Sequence, residues 1–274
     1  MAKLFTLLLC IACLCSFGQK ESEQQKIYRV HLGYEVPASV ACIALSTVGF
    51  KQLGKVATLS ESEAAALNPY SINSFDRPIA FLNPSGFENA SKKSDLFLNV
   101  ALFSPALLAI DKKMRHDWLD LLTMYAVTHA VDNALYFVAQ FSIRRARPFT
   151  YNPEVALQDK VGEGKTNSFF SGHTGFAAAS TFYAAKVYTD YHHIKGWKRI
   201  MWYGIASVPP AVVGFYRTRA GKHFKTDVIA GFIAGATSGI LVPELHRIKK
   251  KNNHLSFAPF YSGDASGITA TLQF

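Results

Sequence analysis

Cysteine is scarce in this chain, and most of it lies at the amino terminus. Three of the four cysteines fall within residues 1–19, where Lys3 precedes an apolar run from Leu4 to Cys15 and a small or polar exit. This layout is typical of a secretory signal peptide, which we exclude from the fold. The mature chain would keep only Cys42, which cannot form an intramolecular disulfide, so we expect packing or a bilayer to stabilise it.

Acidic residues are also few, with 19 Asp and Glu against 29 Lys and Arg and a formal net charge of +10. This balance favours an acidic partner such as phosphate or an anionic lipid. The chain shows no nucleic-acid-binding motif, so we expect no nucleic-acid partner. The basic residues flank apolar runs instead of lining one helix, which is the pattern of loops beside membrane segments.

Long apolar runs are limited, and the mean hydropathy is only +0.10. Six stretches nevertheless predict apolar helices, most of them near the minimum length that crosses a bilayer. They are Val36–Leu53, Asp95–Ile110, Trp118–Phe141, Gly172–Val187, Ile200–Phe215 and Asp227–Val242. A soluble bundle of unusually apolar helices remains the alternative.

The carboxyl-terminal residues from Leu255 to Phe274 alternate apolar and polar side chains around a turn at 262–264, which predicts a β-hairpin. We therefore expect an all-α fold, a membrane-embedded bundle of about six apolar helices with a short C-terminal β-hairpin. In domain terms, residues 1–19 form the signal peptide, 20–252 the helical domain and 253–274 the hairpin tail.

Charge predicts the orientation only in part. The connections at 111–116, 191–199 and 247–251 are rich in Lys and Arg, which favours the cytoplasmic side for them and the periplasmic side for the opposite loops. Those opposite loops are basic too. A cleaved signal followed by six crossing helices would reverse this orientation, so we expect that the first apolar run, interrupted by Pro37 and several hydroxyl residues, does not cross.

Three short islands carry residues suited to phosphoryl transfer. They are Arg147-Pro148, Ser171-Gly172-His173, and Arg217 followed by His223 and Asp227. Together they supply two histidines, a carboxylate and arginines, which is what transfer through a histidine nucleophile needs when no metal is present. We find no convincing cluster of metal ligands, and we expect no cofactor.

The third island predicts the nucleophile. His223 and Asp227 are four residues apart and would share a helix face, so the carboxylate could accept a proton from one imidazole nitrogen while the other attacks. The plain alternative is a helix cap, with Asp227 at the positive end of the helix dipole.

The second island and the arginines predict the phosphate site. At the start of a helix, free backbone N–H groups and the Ser171 hydroxyl could hold phosphate oxygens, Gly172 would let the backbone approach closely, and His173 could protonate the leaving group. The alternative is that the serine only caps the helix N-terminus and the histidine beside it has no catalytic role. The guanidinium groups of Arg147 and Arg217 match phosphate oxygens in pairs.

As a joint pattern, these residues resemble the type 2 phosphatidic acid phosphatase superfamily, which includes secreted acid phosphatases and vanadium haloperoxidases. Its pattern is a lysine seven residues before Arg-Pro, then Pro-Ser-Gly-His, then Ser-Arg, five residues, His, three residues and Asp. The resemblance implies attack by His223 oriented by Asp227, protonation by His173, and hydrolysis of a phosphohistidine by water. It implies that the oxygens are held by Arg147, Arg217, Ser171 and Gly172.

The chain departs from that pattern at three positions. Gln140 stands in place of the lysine, Phe170 in place of the proline, and Tyr216 in place of the serine. We keep Gln140 as a phosphate-binding candidate. Arg144 or Arg145, one turn further on, could supply the lost charge. As cations of the phosphate site in general, Arg144, Arg145, Arg219 and Lys222 are reserves beside Arg147 and Arg217.

These observations predict a metal-independent phosphatase for a lipid phosphate of the phospholipid, polyprenyl or lipid A type. We expect a bacterial cell envelope, with the protein in the inner membrane and its site facing the periplasm. Three alternatives stay open: a soluble periplasmic acid phosphatase for small phosphomonoesters, a haloperoxidase that binds vanadate, and a catalytically weak phosphate-binding membrane protein, which Gln140 favours.

Overall fold

The computed structural model describes residues 26–248, 255–261 and 266–272, and the predicted signal peptide lies outside them. Within residues 26–248, six long helices form a bundle, as the apolar stretches predicted. They are α1 (Leu32–Val56), α2 (Phe87–Phe103), α3 (Trp118–Ser142), α4 (Gly172–Tyr191), α5 (Gly196–Arg219) and α6 (Lys225–His246). Helix α2 begins eight residues before the predicted stretch and continues into a 3-10 helix, Ser104–Ile110.

Short elements connect the long helices. The helical ones are Glu61–Ala66, Lys112–Arg115, Pro148–Tyr151 and Leu157–Lys160, with 3-10 turns at Pro69–Ser71, Arg77–Phe81 and Pro84–Gly86. At the first, the Glu63 amide donates to Ser60 Oγ at 3.3 Å and the Ser60 amide to the Glu63 carboxylate at 2.9 Å. This reciprocal cap satisfies two backbone donors that the helix itself leaves free.

The predicted hairpin is present. Strand β1 (Leu255–Tyr261) pairs antiparallel with β2 (Ser266–Leu272), from Leu255 opposite Leu272 to Tyr261 opposite Ser266. The turn residues 262–265 lie outside the described part of the chain, and the domain boundaries at 19 and 252 stay predictions.

Helix α4 is the centre of the bundle and packs against α2, α3, α5 and α6. Its contact with α6 is close because three α6 glycines, at positions 231, 235 and 239, face the α4 backbone. A Cβ at Gly235 would lie 2.0 Å from the Gly175 carbonyl oxygen, and one at Gly231 would lie 2.4 Å from that of Ser171. Small residues at four-residue spacing let two helices approach in this way. The stripe thereby places the start of α4 against the start of α6.

Three described helical segments are long and apolar enough to cross a membrane: Leu32–Val56, Pro84–Ile110 and Lys225–His246. Large apolar side chains on α1 face outward, among them Val40, Leu45 and Val48, each more than 60% exposed. Apolar surface of this extent indicates a membrane protein. The first apolar run, expected not to cross, is a continuous 25-residue helix with the length and composition of a span.

The basic connections at 111–116 and 191–199 meet at one end of the bundle, and the described start of the third, Arg247, lies there too, 3.7 Å from Asp190. His192 Nε2 lies 2.7 Å from Asp111 Oδ2, and the Tyr191 hydroxyl donates to Asp117 at 2.6 Å. Helix α4 runs from this end to Gly172 at the other, so the three motif islands lie at the opposite end of the bundle.

Candidate active site

A pocket of about 410 Å³ opens at the end of the bundle where α4 and α6 begin and α5 ends. Residues from all three islands or their immediate neighbours line it. The lining consists of Ser91, Asp95, Arg147, Phe149, Glu163, Gly164, Lys165, His173, Arg217 and Lys222. Four of these side chains are Lys or Arg and two are carboxylates, so the pocket suits an anion.

His173 lies in this pocket at the second position of α4, as predicted. Its Nε2 is 3.0 Å from Asp95 Oδ1, a carboxylate that α2 contributes. This carboxylate fixes the ring orientation and favours the imidazolium, but burial and the positive charge of Arg217 outweigh it and lower the pKa of His173 to about 4. A bound anion would oppose this shift. The arrangement allows His173 to hold and release a proton beside an anion.

His223 lies in the connection between α5 and α6 and is almost fully buried. Its Nδ1 is 2.7 Å from the Ser168 carbonyl oxygen. Because a carbonyl only accepts, Nδ1 carries the proton and Nε2 is left with a lone pair. That Nε2 lies 3.5 Å from an Arg217 guanidinium nitrogen. Burial, with Arg147 and Arg217 nearby, lowers the pKa of His223 well below 6.5, so its imidazole is neutral and nucleophilic.

The predicted contact between Asp227 and His223 is wrong. Helix α6 begins at Lys225, so His223 stands outside it and shares no helix face with Asp227. Asp227 accepts from the Phe224 amide at 2.8 Å and from the Ser168 hydroxyl at 2.6 Å, and it pairs with Arg145. It caps α6, as the plain alternative held. Its link to His223 runs through Ser168, whose hydroxyl binds Asp227 and whose carbonyl binds the imidazole.

The two core arginines line the pocket, and in the described part of the chain neither has a carboxylate closer than 4.0 Å. Arg147 Nε donates to Asn167 at 3.0 Å and Nη1 to the Lys222 carbonyl at 3.3 Å. Arg217 reaches Asp95 only at 4.0 Å, and its Nε has no hydrogen-bond partner among the described residues. Guanidinium donors held in place but not neutralised are suited to bind an added oxyanion.

The Ser171-Gly172 pair is placed differently from the prediction. Ser171 is fully buried, and its hydroxyl lies 3.0 Å from that of Thr174. A Cβ at Gly172 would lie 2.8 Å from the Tyr136 ring, so the glycine is needed for packing against α3. Neither residue lines the pocket, although α4 directs its N-terminus toward this end of the bundle.

Two further candidates point away from the pocket. The Gln140 amide donates to the Phe170 carbonyl at 2.9 Å, so two departures from the superfamily pattern contact each other in the core. Arg144 is more than half exposed, donates to the Thr58 carbonyl at 2.8 Å and pairs with Glu63 at 2.9 Å. Neither can bind phosphate where the structure places it, and the nearby Arg145 is likewise engaged by Asp76 and Asp227.

Sequence reasoning missed Asp95, Lys165 and Ser168. Ser94 and Asp95 lie three and four residues after Ser91 on α2, so both share a helix face with it, and this spacing was the available signal. Lys165 and Ser168 lie in the long connection between α3 and α4, where no periodicity marks a side chain. Among the described residues, no group of three His, Cys, Asp or Glu side chains comes together as metal ligands do.

Comparison with known proteins gives a family and a distant structural relative. Residues 117–251 match the model of the PAP2 superfamily. A solved structure also matches: the "Crystal structure of the first transmembrane PAP2 type phosphatidylglycerolphosphate phosphatase from Bacillus subtilis". The two sequences are 22% identical, and the match has a TM-score of 0.42 and covers 76% of this chain and 94% of that one. No curated protein matched the sequence. The family match contains α3 to α6 and all three islands, and the chain belongs to the PAP2 superfamily.

Proposed function

We propose that this protein is a metal-independent phosphatase that removes phosphate from a membrane lipid through a phosphohistidine intermediate. The observation that carries the proposal is the pocket itself. His173 lines it and His223 lies against Arg217 at its wall. Among the described residues, neither Arg147 nor Arg217 has a carboxylate closer than 4.0 Å. Family membership and the apolar helices support a phosphatase that works at a membrane.

In the first step, the His223 Nε2 lone pair attacks phosphorus, and the bond from phosphorus to the leaving oxygen breaks. The bound dianion, together with Asp95, raises the pKa of His173, which takes up a proton from solvent, donates it to that oxygen and becomes neutral again. Arg147 and Arg217 bind the phosphoryl oxygens and compensate the charge of the transition state. In the second step, His173 takes a proton from water as the water oxygen attacks phosphorus, and the bond to His223 breaks to release phosphate.

Asp227 and Ser168 position the nucleophile in this proposal. The Ser168 carbonyl holds the proton on Nδ1, and the Asp227 carboxylate holds Ser168 by its hydroxyl at 2.6 Å. Asp227 therefore acts on His223 indirectly, through the loop residue Ser168 that fixes the imidazole. Ser171 and Gly172 contribute through the N-terminal end of α4, whose dipole favours the anion.

A lipid is favoured over a small phosphomonoester by the surface next to the pocket. Helix α2 contributes Asp95 to the pocket, and its next residue, Leu96, is 61% exposed. Val100 and Phe103 continue this apolar surface along α2, and Phe215 is exposed on α5 beside it. An acyl or prenyl chain could lie on these side chains while its phosphate enters the pocket.

The test is phosphate release by the purified, detergent-solubilised protein in the presence of EDTA. We expect hydrolysis of phosphatidic acid in mixed micelles and a kcat/KM at least about 100-fold lower for glycerol 3-phosphate, which lacks the apolar chains. Quenching with alkaline SDS should trap a phosphoenzyme that is stable to alkali and labile to acid, as phosphohistidine is. Equal rates on both esters would support the acid phosphatase alternative, and no release from either would support the phosphate-binding alternative.

A further inference from the structure

The pocket contains a lysine that the superfamily pattern does not assign. Lys222 lies between α5 and α6, after Gly221, whose φ of 64° makes the turn. Its amide donates to the Arg217 carbonyl at 3.1 Å, and its carbonyl accepts from Arg147 at 3.3 Å. The Lys222 backbone is thus held between the two arginines that the mechanism uses.

The Lys222 ammonium faces the pocket without a negative partner. Its Nζ lies 5.2 Å from the centre of the Phe149 ring, a cation–π distance, and it forms no salt bridge within residues 26–248. Lys165 Nζ lies 5.1 Å from the same ring but donates to the Asp159 carbonyl at 2.7 Å. Of the two pocket lysines, Lys222 is the one whose ammonium has no hydrogen-bond acceptor within residues 26–248.

The neighbours of Lys222 disfavour its charged form when the pocket holds no anion. Burial and the positive charges of Arg147, Arg217 and Lys165 lower its pKa to about 8, and Asp95 opposes the shift. The other titratable groups lining the pocket are His173 and Glu163. A bound dianion would favour the charged form of Lys222 and raise this pKa.

We propose that Lys222 binds a phosphoryl oxygen of the substrate and supplies the cationic contact that Gln140 cannot make. This inference rests on the proposed function and extends it. The chain would then replace a lysine from the end of α3 with one from the α5–α6 connection. Gln140 instead ties α3 to the Phe170 carbonyl.

The experiment compares Lys222→Met, Lys222→Arg, Gln140→Met and the control Lys225→Met. Lys225 is a matched control because it lies three residues away, over Phe75, and does not line the pocket. Two quantities are measured in detergent: the Kd for inorganic phosphate by calorimetry, and kcat and KM for phosphatidic acid between pH 6 and 9.5. The melting temperature of each variant reports its folding.

We expect Lys222→Met to weaken phosphate binding and raise KM by about 10- to 100-fold, the range for a lost charged hydrogen bond. Lys222→Arg should retain most of the affinity, and the other two variants should stay within about threefold of wild type. In the wild type, phosphate affinity should fall as pH rises above about 8, and Lys222→Met should lose this dependence.

Phosphate affinity in Lys222→Met equal to that of the wild type would overturn the inference, as would an equal loss in Lys225→Met or a larger one in Gln140→Met. Wild-type protein that binds phosphate through Lys222 but hydrolyses no ester would refute the proposed function and support the inference. If the protein hydrolyses the lipid but Lys222→Met changes neither Kd nor KM, the proposed function is supported and the inference about Lys222 is refuted.

Discussion

The two ends of the helical bundle differ in how their charged side chains are paired. At the end far from the motifs, the fully buried carboxylate of Asp190 accepts from Tyr28 at 2.8 Å and Arg199 at 2.6 Å and pairs with Lys186. Lys186 also reaches Glu244 at 2.7 Å. At the motif end, the nearest carboxylate that pairs with a pocket cation among the described residues is Asp95, 4.0 Å from Arg217.

This difference suggests that one end of the bundle serves stability and the other serves function. A buried charge network satisfies its own members and holds the helices in register, so it needs nothing from outside. The network links the segment before α1, through Tyr28, to α4, α5 and α6. The pocket holds Arg147, Arg217 and Lys222 close together, and the one carboxylate paired with them in the described part of the chain is 4.0 Å away, an arrangement that should cost stability and favour the binding of an anion. Changes at the two ends should therefore be separable by experiment.

The largest effect should come from His223→Ala. Removing the nucleophile eliminates the covalent step, so we expect kcat/KM for phosphatidic acid to fall by at least about 10⁴-fold with little loss of stability. His192→Ala, at the opposite end, is the control and should keep wild-type activity. Unchanged turnover in His223→Ala would rule out this residue as the nucleophile.

Asp190→Asn should destabilise the end of the bundle far from the motifs. Loss of the negative charge leaves the buried Lys186 with only the partly exposed Glu244, and removing one partner of a buried pair costs about 3–5 kcal/mol. We expect a lower melting temperature in detergent, while the folded protein keeps its KM for phosphatidic acid. A raised KM without destabilisation would show that the two ends are coupled.

His173→Ala should have an intermediate effect that depends on the leaving group. General acid catalysis contributes about 10²- to 10⁴-fold, so the loss should be large for alkyl phosphates and small for aryl phosphates. Asp95→Asn should lower the rate less and shift the acid–base profile, because the His173 imidazolium loses its carboxylate at 3.0 Å. Equal losses on alkyl and aryl esters would argue against the acid role of His173.

The smallest effect concerns pH. The pKa of His223 lies below 6.5 in the fold because of burial and the two arginines, whereas the unfolded chain takes up this proton near pH 6.5. Between these values the unfolded state binds more protons, so stability should fall as pH falls below about 6.5, by at most about 1.4 kcal/mol per pH unit. Melting temperatures from pH 5 to 8 should fall less steeply on the acid side in His223→Ala, and identical slopes would contradict the shifted pKa.

The sequence predicted much of the fold because helix length and apolar content are local properties. All six long helices and the hairpin appear where those patterns placed them. The contact between His223 and Asp227 was mispredicted because a spacing of four implies a shared face only when both residues are helical, and α6 begins between them. Gln140 was mispredicted as a phosphate contact because the side chain turns toward Phe170, which lies 30 residues further along.

The amino-acid sequence by itself determined the helical class, the apolar surface and the kinds of side chain available at the three islands, since these follow from composition and short-range spacing. Only the tertiary structure decided which groups meet. Asp95 approaches His173 across 78 residues, and the Ser168 carbonyl approaches His223 across 55. Such contacts depend on how closely α4 packs on α6 and α2, and that distance is set by interlocking glycines and side chains far apart in the chain.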